Sequence, residues 1–314
     1  MSGIEVHCYG PHIFHTNNKI IYNFVQKYGK LNKFINRIKA IHQDKIYSLP
    51  FNLQTVYELF GTISPKEAIN AIEQDRVQIA NPSNLEEYCL SVLGKKIYQT
   101  LIYGYTKKQW RTDPKNLPAS IIRRLPVRET FDDNYYNHKY QGVPESGYTR
   151  LIENLLDGAE VRLNTKFEIF GWRKLAKKLI YTGPLDRLYD CDKGRLPYLT
   201  LDFKHQCFEG NVQGNAILNY TDEHVSHTRK IEHKHFYKND TNNSILTTET
   251  PVDAQQDSVP YYPIPIKENI RLAQDYKKRF LSSQNQYGGG RLFDYKYIDM
   301  DQTVGSALSL SLKC

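Results

Sequence analysis

Stretches of α/β character are scattered through this sequence in three separate places, and that dispersal constrains the fold more than any single motif. Tyr148 to Leu156 has the apolar spacing of an amphipathic helix, stopped by Asp157-Gly158, and Glu160-Val161-Arg162-Leu163-Asn164 then reads as a strand. Lys178-Leu179-Ile180-Tyr181-Thr182-Gly183-Pro184 reads as a buried strand running into a tight turn, with a short helix from Leu185. Gly288-Gly289-Gly290-Arg291-Leu292 precedes a loop and a helix from about Met300. Two other textures lie before and between these pieces. Asn52 to about Lys115 predicts helices: Ser64-Pro65-Lys66-Glu67 is a helix start, and Asn84-Leu85-Glu86-Glu87 opens another that ends at Gly94. Pro197 to Tyr262 predicts antiparallel strands, as in Ala216 to Tyr220 and Ser244 to Thr248. The expected architecture is an α/β domain assembled discontinuously, with a helical part and an antiparallel sheet inserted into it.

Composition narrows the class. The 314 residues are 40% hydrophobic and 24% charged, which fits a folded globular chain and excludes collagen-like or wholly disordered ones. No apolar run approaches the roughly 18 residues needed to cross a bilayer. The start, Met-Ser-Gly-Ile-Glu-Val-His-Cys, shows no secretory signal. Five scattered cysteines without a C-x-x-C pair predict reduced thiols and a cytoplasmic location. Lys and Arg number 42 against 34 Asp and Glu, giving a net charge of +8 that suits nucleic acid, an acidic surface or a phosphorylated small molecule. The 24 tyrosines against 2 tryptophans favour a polar sugar or nucleotide ligand, because a phenol offers a stacking face and a donor together.

Several blocks carry chemistry. In Tyr9-Gly10-Pro11-His12-Ile13-Phe14-His15-Thr16 two histidines stand three apart. Metal ligation would need a third partner, His233 or His235, and donation to a cofactor or a structural role are the alternatives. Arg123-Arg124-Leu125-Pro126-Val127-Arg128, followed by Phe131-Asp132-Asp133-Asn134-Tyr135-Tyr136, offers guanidinium forks for phosphate and phenols beside them. Pro126 and the acidic pair make it a loop and weaken any duplex-binding reading. Gly104-Tyr105-Thr106-Lys107-Lys108-Gln109-Trp110 sets two aromatic faces among cations, as a base-stacking platform or as interhelical packing. His227 to Phe236 is a strand polar on both faces, lining a wet cleft or lying on an exposed sheet face. Gly288-Gly289-Gly290-Arg291 lets a backbone approach a ligand closely.

These blocks, with Tyr140-Gln141-Gly142-Val143-Pro144 and Ile231-Glu232-His233-Lys234-His235-Phe236, resemble the UDP-galactopyranose mutase family in residue type and in order along the whole chain. The resemblance implies an isomerase that interconverts UDP-galactopyranose and UDP-galactofuranose through an adduct between N5 of reduced FAD and the sugar, with no net redox change. It assigns catalysis to Arg124 and Arg229 on the diphosphate. Tyr105, Trp110, Tyr135, Tyr262, Tyr297 and Asp299 would bind substrate, and His12, His15, Gly289, Gly290 and Arg291 would lie at the FAD. No metal, nucleic acid or membrane partner is implied, and a homodimer is the assembly to look for. The implied fold class is mixed α/β: residues 1–36, 148–195 and 263–314 form a discontinuous, incomplete FAD-binding Rossmann-like domain. Residues 52–117 form a helical domain, and 37–51, 118–147 and 196–262 an antiparallel substrate-binding sheet.

Departures from the family pattern are as informative. None of the 18 glycines forms G-x-G-x-x-G, and about 40 to 45 residues of an N-terminal βαβ unit are missing by comparison with that pattern. The expectation is that the chain as given is truncated and holds FAD poorly; a non-catalytic remnant that at most binds UDP-sugar is the alternative. Arg111 follows Trp110 where the family usually has glycine, Pro11 follows Gly10 in place of a small residue, and Ile298 and Asp301 replace the usual Tyr and His.

Overall fold

Three helices between residues 52 and 92 start where the sequence supplies side-chain caps. Asn52 accepts from the Thr55 amide at 3.0 Å while the Thr55 hydroxyl accepts from the Asn52 amide at 3.1 Å, and Leu53–Phe60 follows, closed by Gly61 in the left-handed region. Ser64 caps Pro65–Asp75 with proline at the first position, and Asn84 caps Leu85–Val92. Lys95–Ile97, a π-helical turn over Tyr98–Tyr103 and Gly104–Trp110 then succeed one another. The apolar faces of these helices, including Val56, Leu85, Cys89, Ile97 and Tyr98, are buried.

The computed structural model describes residues 3–122, 127–237, 241–255 and 258–314. The chain divides into two units. The first holds Met1–Ile13, Asn32–Asn137 and Asp202–Pro251; the second holds Phe14–Leu31, His138–Leu201 and Val252–Cys314. In the first unit the helices above accompany a sheet whose strands run, neighbour to neighbour, Tyr198–Glu209 (from Asp202 on), Asn243–Val252, Arg229–Glu232, Ile217–Tyr220, Lys39–His42 and Lys45–Ser48. Lys39–His42 and Ile217–Tyr220 are parallel; the Lys45–Ser48, Arg229–Glu232 and Asn243–Val252 pairings are antiparallel.

The second unit has short strands and longer helices. Phe14–Thr16 pairs antiparallel with Tyr140–Gly142, Leu179–Tyr181 pairs parallel with Gln286–Gly288, and Tyr262–Pro263 pairs with Tyr198 and Leu199. Lys267–Leu281 buries Ala273, Tyr276 and Phe280 against Leu185, Leu188 and Phe293. Lys19–Tyr28 and Gly147–Leu155 bury Val25 and Leu151 with Phe14. Among the described residues no helix is long and apolar enough to cross a membrane.

Three sequence readings need correction. The strand read as buried over residues 178–184 forms at Leu179–Tyr181 but leaves Ile180 52% exposed, in a sheet of two strands among the described residues. Glu160–Asn164 is not a strand: Leu163 is 80% exposed, and Asn164 has φ of 53°. Alternating Val161 and Leu163 needs a neighbouring strand to satisfy its amides, and none pairs with it among the described residues. The polar block from His227 is a strand only over Arg229–Glu232, after which His233–Phe236 closes into a 3-10 turn.

That turn ties the segment before Pro11 to the first unit through buried histidines. The His7 amide donates to His233 Nδ1 at 3.2 Å, and His7 Nδ1 accepts from the His12 amide at 3.2 Å. His233 Nε2 therefore carries its proton and donates to the Thr247 hydroxyl at 2.6 Å, whose own proton goes to His205 Nδ1 at 2.7 Å. His7 likewise carries its proton on Nε2, which donates to the Tyr237 phenol at 3.1 Å, and its ring stacks on Phe236.

Burial lowers His7 to about 4 and His233 to about 3, with the neighbouring His12 and His7 adding to each shift. Unfolding frees both rings to titrate near 6.5, so the unfolded state takes up protons first as pH falls. Stability present above pH 6.5 should decline between 6.5 and 4, by on the order of 3 kcal/mol for His7 alone. Thermal unfolding followed from pH 7.5 to 4.5 should show this slope, and His7→Asn should flatten it.

Candidate active site

Arg229 stands in a row of polar side chains in the first unit. It lies directly opposite Asn219 on one neighbouring strand and Glu249 on the other, so the three side chains share a face of the sheet. Glu249 is 1% exposed, and its Oε1 lies 3.4 Å from Arg229 Nε. Burial pushes the Glu249 carboxyl upward, while the Arg229 guanidinium and a hydrogen bond from Thr228 pull it back. The other end of the guanidinium donates from Nη2 to the Tyr105 phenol at 2.7 Å. Held at both ends, Arg229 presents a pre-set fork while keeping 21% of its side chain exposed.

Tyr105 is placed by the helix Gly104–Trp110. A Cβ on Gly104 would fall 2.2 Å from the Thr221 carbonyl oxygen, so only glycine lets the helix approach this closely. Lys108 donates to the carbonyls of Tyr220 at 2.8 Å and His227 at 3.0 Å, fastening the helix to the turn between two strands. Burial lowers the Lys108 amine to about 8 and the His227 ring to about 4, Lys230 and Lys108 adding to the latter. Lys107 pairs with Glu223. Trp110 ends the helix, and Arg111 after it adopts φ of 50°, the left-handed region that a glycine enters without strain.

The Tyr9–His12 block reaches the same row. Gly10 has φ of 95°, and a Cβ there would lie 3.6 Å from both Glu249 Oε2 and the Phe203 ring. His12 Nδ1 donates to the Gly10 carbonyl at 2.8 Å. Tyr135 is carried by the loop after Arg128, its amide donating to the Asn36 carbonyl at 2.8 Å. The Ile231–Phe236 block is largely internal scaffolding. Glu232 is wholly buried and accepts from the amides of Val212 at 2.9 Å and Gln213 at 2.7 Å and from the Ser244 hydroxyl at 2.6 Å. Burial pushes its carboxyl up, yet these bonds and His235 hold it below the usual range.

The remaining candidates belong to the second unit. His15 Nδ1 lies 2.7 Å from His138 Nδ1. The Tyr262 and Tyr297 rings stack with centroids 5.7 Å apart. Asp299 caps Met300–Ser311, and the Gln302 side chain accepts from its amide. Gly289 and Gly290 follow a strand of the parallel pair; Gly290 has φ of 93°, and a side chain there would meet open space. Arg291 donates to the carbonyls of Pro260, at 2.9 Å, and Tyr261, and burial lowers its guanidinium. Arg124 lies outside the described residues. No group of three or more metal-ligating side chains occurs among the described residues.

Glu249 and Asn219 were not singled out in the sequence. The available signal was parity: Thr247, Glu249 and Pro251 alternate as the buried face of one strand, and a lone carboxylate on that face requires a cation. Gly104→Ala tests the placement of the aromatic helix. It should destabilise the protein by about 2 kcal/mol or more, because the clash is with backbone, and should weaken any ligand held at Tyr105. Thermal unfolding and UDP titration would read both effects.

The profile of the UDP-galactopyranose mutase family matches residues 100–297, which include Tyr105, Arg229 and Glu249. A Klebsiella pneumoniae protein named "Probable UDP-galactopyranose mutase" is 40% identical over 97% of this chain and 80% of its own length. The dTDP-fucopyranose mutase of Escherichia coli is 39% identical over 98% and 84%. A crystal structure of reduced UDP-galactopyranose mutase shares the fold at a TM-score of 0.72, with 13% identity, covering 96% of this chain and 83% of that one. With more than half of its length matched by the profile, this mixed α/β chain belongs to the UDP-galactopyranose mutase family of isomerases.

Proposed function

We propose that this chain interconverts UDP-galactopyranose and UDP-galactofuranose, and that Arg229, clamped between Glu249 and Tyr105, is the group that takes the diphosphate. The observation that carries the reading is the clamp itself: an arginine held by a buried carboxylate and a phenol, with 21% of its side chain exposed. Its charge-assisted bonds strengthen as negative charge grows on the departing diphosphate, which stabilises the transition state more than the bound substrate. Arg124 completes the clamp in this proposal. Tyr135, Tyr262 and Tyr297 add neutral donors, Tyr105 offers its ring to uracil, and Trp110 and Asp299 border the sugar.

The residues of the second unit fit contact with a flavin at one place, where Gly289 and Gly290 follow a parallel strand and a side chain at Gly290 would meet open space. In this proposal Gly289, Gly290 and Arg291 hold FAD, with His12 and His15 as further donors, on a Rossmann-like domain of residues 1–36, 148–195 and 263–314. Bound and reduced, FAD would supply the nucleophile for the anomeric carbon. The chain's own residues bind and orient the nucleotide, and the arginines carry the charge that UDP takes with it. The helical domain (52–117) and the sheet of 37–51, 118–147 and 196–262 supply the substrate side. The proposal extends to a cytoplasmic homodimer without nucleic-acid or membrane partners. A chain that binds UDP-sugar without turnover is the second reading.

The test is conversion of UDP-galactofuranose by the purified chain with FAD and dithionite, with dTDP-fucose run in parallel because a relative of nearly equal identity is a dTDP-fucopyranose mutase. Arg229→Ala should cut turnover roughly a hundred- to a thousand-fold with a smaller effect on substrate binding, and Arg229→Lys should rescue little, because an ammonium lacks the fork. Near-normal turnover of Arg229→Ala would remove the diphosphate role. UDP binding without turnover would favour the second reading.

A further inference from the structure

Arg128 stands four residues after Arg124 in the most basic block of the sequence, yet its guanidinium is turned inward. Only 10% of its side chain is exposed. Nη1 donates to the Asp132 carbonyl at 3.2 Å, to Asp132 Oδ2 at 3.3 Å and to the Asn134 carbonyl, and Nη2 donates to Asn137 Oδ1. One fork thus closes the excursion from 128 to 137 on itself. Its base is fixed as well, because the Arg128 amide donates to the Phe51 carbonyl at 2.7 Å and Asn52 Nδ2 donates to the Asp132 carbonyl at 3.1 Å.

Tyr135 sits at the middle of this excursion. Asp132 Oδ1 accepts from the Asn134 amide at 3.0 Å, and Asn134 Oδ1 accepts from the Tyr136 amide at 3.2 Å, so two side-chain turns bracket it. The Asn134 carbonyl, on the peptide that joins Asn134 to Tyr135, is the one that Arg128 holds. Asp133 is occupied elsewhere, at 2.9 Å from Arg37 and 3.5 Å from Lys39. The two acids that weaken a nucleic-acid reading of the block are therefore both committed to cations of the scaffold.

We infer that Arg128 is a positioning residue: it does not meet the diphosphate but sets the loop geometry that aims the Tyr135 phenol at it. The inference rests on the reading of Tyr135 as a diphosphate donor. A planar fork is needed to reach four acceptors at once, so charge alone should not replace it.

Calorimetric titration with UDP separates the cases. Tyr135→Phe should weaken binding about tenfold through one lost donor to a charged group. Arg128→Met should weaken it at least as much, and Arg128→Met with Tyr135→Phe should be no weaker than Arg128→Met alone, since the phenol is already misplaced. Arg128→Lys should behave like Arg128→Met. Should Arg128→Met fail to fold, Asn137→Ala, which removes one acceptor, replaces it in the same cycle. Additive losses, wild-type affinity in Arg128→Met, or recovery of wild-type affinity in Arg128→Lys would each overturn the inference, the last by showing a direct charge attraction. Wild-type affinity in Tyr135→Phe, or no binding of UDP by the folded protein, would overturn the reading beneath it.

Discussion

A carboxylate buried to 1% exposure in the middle of a sheet is costly to hold charged, and the arrangement around Glu249 exists to make that tolerable. Arg229 supplies the compensating cation from the adjacent strand in direct register, and Thr228 adds a hydrogen bond. Such a pair contributes little net stability, but losing one partner typically costs about 3 to 5 kcal/mol because the other is left buried and uncompensated. The pair is therefore better understood as a device for orientation. Glu249 and Tyr105 together fix where the guanidinium points before any ligand arrives, and the helix carrying Tyr105 is itself fixed by Gly104 and Lys108.

This dependence explains why residues of different chemistry recur as blocks. Gly10 packs on Glu249, Gly104 admits the helix to the loop at Thr221, and Glu232 ties the 212–214 loop to the sheet that carries Arg229. Few of these residues need to touch a substrate. They remove degrees of freedom from the Arg229 guanidinium. Preorganisation of this kind lets a site stabilise developing charge without reorganising during the reaction.

Much of this was legible from short-range chemistry. Ser64-Pro65 and Asn84 announce helices because a cap needs only its own turn, and Ser244 to Thr248 announces a strand by alternation. What was not legible depends on partners distant in sequence. Glu160–Asn164 alternates like a strand but finds no neighbour, whereas the three residues Leu179–Tyr181 become one because Gln286–Gly288 lies beside them. The pairing of Arg229 with Glu249 rests on strand register, which composition does not encode. Arg128 stands in the same basic block as Arg124 without an assigned diphosphate role, and its inward turn depends on the path of the following loop.

The central claim is that Arg229 and its supports form a site for the diphosphate of a nucleotide sugar. Comparing the affinities of UDP and uridine for the same protein tests it most directly. The account predicts that UDP binds at least ten- to a hundredfold tighter than uridine, and that Arg229→Met narrows this gap by about tenfold or more, since a charge-assisted bond contributes roughly 1.5 to 3 kcal/mol. Equal affinities in the wild-type protein, or an undiminished preference for UDP in Arg229→Met, would contradict it.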